Sequence, residues 1–69
     1  MADNTYKLVE IVGTSSETFA KAAANGVERA SHSLRNLDWF EVTEMRGRID
    51  QGRIAQYQVT MKVGFRLEE

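Results

Sequence analysis

Arg53-Ile54-Ala55-Gln56-Tyr57-Gln58-Val59-Thr60-Met61-Lys62-Val63-Gly64-Phe65-Arg66-Leu67 is the stretch that decides the fold. Its odd positions from Ala55 to Leu67 are apolar, while Gln56, Gln58, Thr60, Lys62, Gly64 and Arg66 occupy the even ones. A period of two puts the two sets on opposite faces of a strand. The run far exceeds the usual strand of about five or six residues, so it is expected to bend or to be shared between neighbouring sheets. Just before it, Asp50-Gln51-Gly52 makes a connection in which Gly52 is available for a positive φ. Its partner runs from Trp39 to about Ile49, so this half of the chain reads as one long hairpin.

Upstream, Thr5 to Val12 alternates loosely, with Tyr6, Leu8, Glu10 and Val12 on one side and Lys7, Val9 and Ile11 on the other. It reads as a first strand, broken by Gly13. Thr14 and Glu17 have capping-box spacing, which starts a helix near Ser16. Phe19, Ala23, Val27, Ala30 and Leu34 then recur at intervals of three and four along one stripe. The many alanines permit close approach of a sheet, and Gly26, costly in a helix interior by about 1 kcal/mol, suggests tight packing at that point. Leu34-Arg35-Asn36 ends the helix, with Arg35 suited to the negative end of its dipole. The order is βαββ. If the first strand pairs with the last, the fold is α+β: a three-stranded antiparallel sheet of order 1-3-2 with one helix on one face.

Composition narrows the function. A chain of 69 residues is expected to form a single domain spanning 1–69 with a marginal core, the size range in which extra staples are usual. Without Cys and with a single His, neither disulfides nor a zinc site can serve, so oligomerisation is the expected route to stability. A net charge of −1 with interspersed signs offers no footprint for nucleic acid. Met1-Ala2-Asp3-Asn4-Thr5 has no basic n-region before an apolar stretch, and no run approaches the ~20 residues of a membrane span. The expectation is a soluble cytoplasmic protein with neither nucleic acid nor membrane as partner.

Trp39 is the only indole, and it adjoins Phe40. Neighbours on a strand face opposite ways, so Phe40 enters the core only if Trp39 leaves it. Ideal alternation gives the outer face Trp39, Glu41, Thr43 and Met45 from the second strand and Gln56, Gln58, Thr60 and Lys62 from the third: a polar wall with one aromatic plate.

Four segments, Lys7-Leu8-Val9-Glu10-Ile11-Val12-Gly13-Thr14-Ser15, Leu37-Asp38-Trp39-Phe40-Glu41-Val42, Tyr57-Gln58-Val59 and Val63-Gly64-Phe65-Arg66-Leu67, together resemble the dodecins across nearly the whole chain. The resemblance implies small βαββ subunits that assemble as a hollow homododecamer of cubic symmetry. It also implies flavin storage and protection rather than catalysis, with FMN or a related flavin stacked in pairs between tryptophans of symmetry-related subunits. By the same resemblance, Trp39 is the stacking residue, whose electron-rich ring suits the electron-poor isoalloxazine. Gln58 reads the pyrimidine edge with one donor and one acceptor. Arg46 lies near the phosphate-bearing end, and Glu41 anchors a ribityl hydroxyl or an ion. Strict alternation sets Arg46 opposite Trp39, so its role requires a strand bend or another subunit. Bacterial dodecins are also linked with coenzyme A at a threefold opening.

Plainer readings stand beside these. A lone Trp is more often core or interface filler than a ligand platform, an outward Gln is usually just solvated, and an Arg on a strand is more often half of a cross-strand pair. His32, on the polar side of the helix, is given no role. No activated nucleophile is recognisable, and Glu41 and Glu44 fall on different faces of an ideal strand, which argues against a paired-carboxylate site. Gly13-Thr14-Ser15 lacks the following Lys of a phosphate loop. Three functions remain in competition: a flavin-binding oligomer, a coenzyme A or nucleotide buffer, and a purely structural assembly module.

Overall fold

In the computed structural model, which describes residues 3–68, the elements follow as β1 (Tyr6–Ser15), α1 (Phe19–Ala30), β2 (Leu37–Asp50) and β3 (Arg53–Arg66). Met1 and Ala2, read above for a leader, lie outside the described residues. The strands form one antiparallel sheet in the order β1-β3-β2, as the alternation anticipates. The length of β3 is absorbed within this single sheet rather than shared between two. Residues 57–66 pair with β1, whereas 53–56 pair with β2 alone. The hairpin therefore projects as a two-stranded ribbon, and the molecule extends 55 Å by 20 Å by 14 Å. Gln51 (φ 53°) and Gly52 (φ 76°) close it. Two successive positive φ values are those of a type I′ turn, whose twist matches that of the strands.

Several boundaries differ from the reading of the sequence, each for a physical reason. Gly13 does not break β1, which continues to Ser15; it marks where the helix touches the strand. A Cβ at Gly13 would collide with the carbonyl oxygen of Ala22 and stand 3.1 Å from the Cα of Gly26. The box expected at Thr14 and Glu17 does not form, because Thr14 is still in the strand, where its carbonyl accepts a hydrogen bond from Asn25 Nδ2 at 3.0 Å. The cap is Thr18, whose Oγ1 accepts from the Lys21 N–H at 2.9 Å, and Glu17 instead pairs with Lys21 at 2.8 Å. The helix stops at Ala30, short of Leu34, and Asn36 adopts a left-handed φ of 64° that turns the chain into β2. Arg29, not Arg35, occupies the last helical turn, while Arg35 reaches Glu68 at 3.6 Å. His32 falls in the exposed turn beyond the helix.

The stripe that meets the sheet is Ala22, Gly26 and Ala30. Phe19, Ala23 and Val27 flank it, half-buried. Gly26 belongs to the stripe because a Cβ there would strike Met61 Cε and come within 3.1 Å of Gly13 Cα. Among the described residues the buried apolar side chains are Ala22, Ala30, Val59, Met61 and Val63, so only the middle of the long alternating run enters the core. Tyr57 is half-buried with its ring 4.9 Å from that of Phe19, and Ala55 and Leu67 are exposed. The helix lies on β1 and β3 and does not reach across to cover β2. Phe40, Val42 and Met45, on the helix-side face of β2, are left exposed. A groove lined by Ala20, Ala23, Ala24, Val27 and Phe40 separates them from the helix. Among the described residues no helix is long and apolar enough to cross a membrane.

Candidate functional site

The sheet face away from the helix holds the residues singled out by chemistry. Its composition follows from register. On β3 the even positions point outward, and from Gly64 to Lys62 they oppose the odd positions Trp39 and Glu41 of β2. The register then shifts between Val42 and Glu44. Thr43 is the extra residue of a β-bulge, and its hydroxyl donates to the Thr60 carbonyl at 3.2 Å. One unpaired residue reverses the parity of everything after it. Glu44 then opposes Thr60, Arg46 opposes Gln58 and Arg48 opposes Gln56, while Met45 turns to the helix side opposite Val59.

This bulge corrects the outer face drawn from ideal alternation. Met45 leaves it, Thr43 becomes the hinge, and Glu44, Arg46 and Arg48 join it. The strand bend needed to bring Arg46 to the face of Trp39 is present within one chain. Glu41 and Glu44 come to share a face as well, contrary to the ideal-strand reading. Glu44 is committed, however, to Arg46 Nη1 at 2.9 Å. Thr60 is not part of a solvated wall: it is 7% exposed, and its Oγ1 has no partner.

Trp39 rests on β3 at Gly64. A Cβ on Gly64 would stand 2.5 Å from Cε2 and 2.7 Å from Cη2 of the indole, and closer still to Cζ2 between them. Near-equal approach to three consecutive ring atoms is the signature of a face, since an edge-on approach would leave the outer two distinctly farther. The indole thus lies face down over a glycine, with 43% of the residue exposed. Tyr6, from β1, meets it edge to face with ring centroids 5.0 Å apart and planes at 61°. Leu8 pairs with the same Gly64 from the other side. The plate therefore sits in an apolar corner rather than alone on a polar wall. Neither Gly64 nor Tyr6 was singled out by the sequence reading. A glycine inside an otherwise filled strand is a sign of close approach, and that signal stood at position 64.

Arg46, Gln58, Gln56 and Glu44 form the other end of the face. Arg46 Nε donates to Gln58 Oε1 at 3.0 Å, and Gln58 Nε2 donates to Gln56 Oε1 at 2.8 Å. The amide of Gln58 is thereby turned one way, with its second N–H and a second acceptor lone pair left for a ligand. Glu41 opposes Lys62, which opposes Glu10 in turn, so an acid-base-acid row separates the two ends. The structure brings Arg46 to Gln58 and Glu41 to the row beside Trp39, but it does not bring Trp39 to Gln58. Their rows are six residues apart along β3, roughly 20 Å at the rise of a strand. No single fused tricyclic ring spans that gap, so a planar ligand touching both groups would take them from two copies of the chain. Among the described residues no cluster of three or more His, Cys, Asp or Glu side chains is arranged to hold a metal ion.

Comparison with known proteins gives a consistent result. The family model for dodecin matches residues 5–68. A dodecin of Thermus thermophilus is 53% identical over 64 residues, covering 93% of each chain. The solved structure of dodecin from Streptomyces davaonensis superposes with a TM-score of 0.96 at 57% identity, covering 99% of this chain and all of that one. A calcium dodecin of Mycobacterium tuberculosis is 30% identical over 64 residues, covering 93% of this chain and 90% of that one.

Proposed function

The chain belongs to the dodecin family, and from that premise we propose that it is a non-enzymatic cytoplasmic protein of one domain that binds, stores and protects FMN or a related flavin as a hollow homododecamer. The observation that carries the reading is the indole of Trp39, held face down on Gly64 with 43% of the residue still exposed. This is a preformed plate for a flat, electron-poor ring. Bound flavin supplies a redox-active, light-absorbing ring. A stacked Trp39 indole would shorten its excited state by donating an electron that then returns to the indole, and enclosure between subunits would keep it from stray reactions.

The remaining residues divide the other tasks. Gln58 presents a donor and an acceptor side by side to the pyrimidine edge, with its amide orientation set by Arg46 and Gln56. Arg46 meets the phosphate end, where a bound cation is the other means of balancing charge. Glu41 anchors a ribityl hydroxyl or an ion beside the plate. Self-association is supported by the small core and by Phe40, Val42 and Met45, whose uncovered row on β2 gives a second copy something to bury. The gap between Trp39 and Gln58 supports ligand sites completed by a second copy.

The test is a titration of oxidised FMN fluorescence with ligand-free protein, run beside Trp39→Ala. Saturable quenching that is lost in the variant, at unchanged particle size, is the expected outcome. Absence of quenching by an intact oligomer refutes the reading. Absorbance of co-purified ligand then separates the alternatives: adenine alone indicates a coenzyme A buffer, and no chromophore indicates a structural module.

A further inference from the structure

The flat pose of Trp39 is held in place by neighbours that need not touch a ligand. We infer that Tyr6 is a positioning residue: with Gly64 as the floor, it forms a seat that fixes the indole before any flavin arrives. This deepens the flavin reading above and rests on it for the binding arm of the test, though not for the seat itself.

Three observations carry it. The floor has no side chain, and any Cβ on Gly64 would overlap the six-membered ring. The wall is the Tyr6 ring, centroid to centroid 5.0 Å and inclined 61°, the edge-to-face arrangement that aromatic quadrupoles favour. The two supports come from different strands, β1 and β3, while Trp39 lies two residues into β2, just after a register shift between Leu37 and Trp39 in its pairing with β3. An indole that close to the end of its strand takes the supports that fix its χ angles from the neighbouring strands. Without a seat it would swing over the open face, and each flavin would have to order it on binding, at the cost typical of immobilising a side chain. With the seat, that ordering is done in folding.

Trp39 is the only tryptophan of the chain, so its motion can be read by exciting at the red edge of the indole band, where energy transfer between copies is suppressed. Time-resolved anisotropy of Trp39 in ligand-free protein, with particle size checked by light scattering, should show slow tumbling and almost no sub-nanosecond ring motion. Tyr6→Ala should add a fast component and weaken FMN binding about 5-fold, the equivalent of an aromatic pair worth about 1 kcal/mol. Tyr6→Phe, which keeps the ring and discards the hydroxyl, should restore both. A merely structural role would leave the fast component absent in all three proteins. If Tyr6→Ala does not give the wild-type particle, Tyr6→Leu keeps apolar bulk at the strand and makes the same comparison. An indole equally immobile without the Tyr6 ring, or already mobile in the wild type, overturns the proposal. Failure of the wild type to quench FMN refutes the flavin reading instead, while the anisotropy still decides the seat.

Discussion

Gly13→Ala is expected to be far more damaging than Gly26→Ala, although the two glycines touch each other across the same seam. At Gly13 the new methyl meets only backbone: it collides with the Ala22 carbonyl oxygen and lies 3.1 Å from the Ala22 carbonyl carbon and from Gly26 Cα. Backbone cannot swing aside, so the helix must lift. A separation of about 1 Å forfeits roughly a quarter to a half of the dispersion attraction of each contact along the seam. That seam includes Ala22 and Met61, both fully buried. Overpacking costs about 1–3 kcal/mol, and a site walled by backbone belongs at the upper end, near 3 kcal/mol. At Gly26 the first obstacle is Met61 Cε, the far end of a flexible side chain, and the nearest backbone is Gly13 Cα at 3.1 Å, with no carbonyl oxygen in collision. The gain in helix propensity is about 1 kcal/mol and offsets much of the cost, leaving a net change within about 1 kcal/mol.

For a domain of this size each kcal/mol corresponds to about 4–8 °C in Tm. Gly13→Ala should thus lower Tm by about 12–24 °C, and Gly26→Ala by less than about 8 °C. Thermal unfolding followed by far-UV circular dichroism measures both, at equal protomer concentration because assembly makes Tm concentration-dependent. A Gly13→Ala protein within about 4 °C of wild type, or a reversed order of the two variants, would refute the packing derived for this seam.

Other perturbations test separate parts of the molecule. Thr18→Ala removes the oxygen that accepts from the Lys21 N–H and should cost about 1 kcal/mol, seen as a drop of about 4–8 °C in the same melts. Thr60→Val removes a buried hydroxyl without a partner and should raise stability by about 1 kcal/mol; a loss of stability would mean that the hydroxyl is satisfied in the assembly. Arg46→Gln should weaken FMN binding while leaving riboflavin, which has no phosphate, within about 3-fold of wild type, the ratio being read by paired titrations. Equal losses for the two ligands would assign Arg46 to the orientation of Gln58 instead.

The fold was legible because its strongest signal is local. The alternation from Ala55 to Leu67 announces a strand, and Gln51-Gly52 announces the hairpin whatever surrounds them. The helix boundaries were not, because two turn-forming stretches offered several caps each. Thr14, Ser15 and Thr18 all carry usable hydroxyls, and only the path of β1 beneath α1 decides that Thr18 is taken. Trp39 was marked as an outward plate by strand alternation, but its stacking role, like the roles of Gln58, Arg46 and Glu41, entered through family resemblance, since as residue types on a strand each has a duller explanation. Gly64 and Tyr6 escaped notice because their partner is 25 or more residues away in sequence, and no periodicity reports a contact of that kind.

Thr43 shows how much of a sheet face can hang on one residue that none of the proposed roles uses. The apolar positions of β2 change parity between Val42 and Met45, from even to odd, and the charged positions change with them, from Glu41 to Glu44, Arg46 and Arg48. Read as a continuous strand, that pattern buries charge or exposes apolar groups somewhere along its length. Read with one residue set aside, both series stay on their own faces. The structure sets aside Thr43, tying its hydroxyl to the backbone of β3. The sheet keeps Phe40, Val42 and Met45 on the helix side while Trp39, Glu41 and Arg46 share the other. The bulge is therefore the step at which a pattern in the sequence becomes an arrangement that can bind: without it, the aromatic plate and the basic group would belong to opposite faces of the sheet.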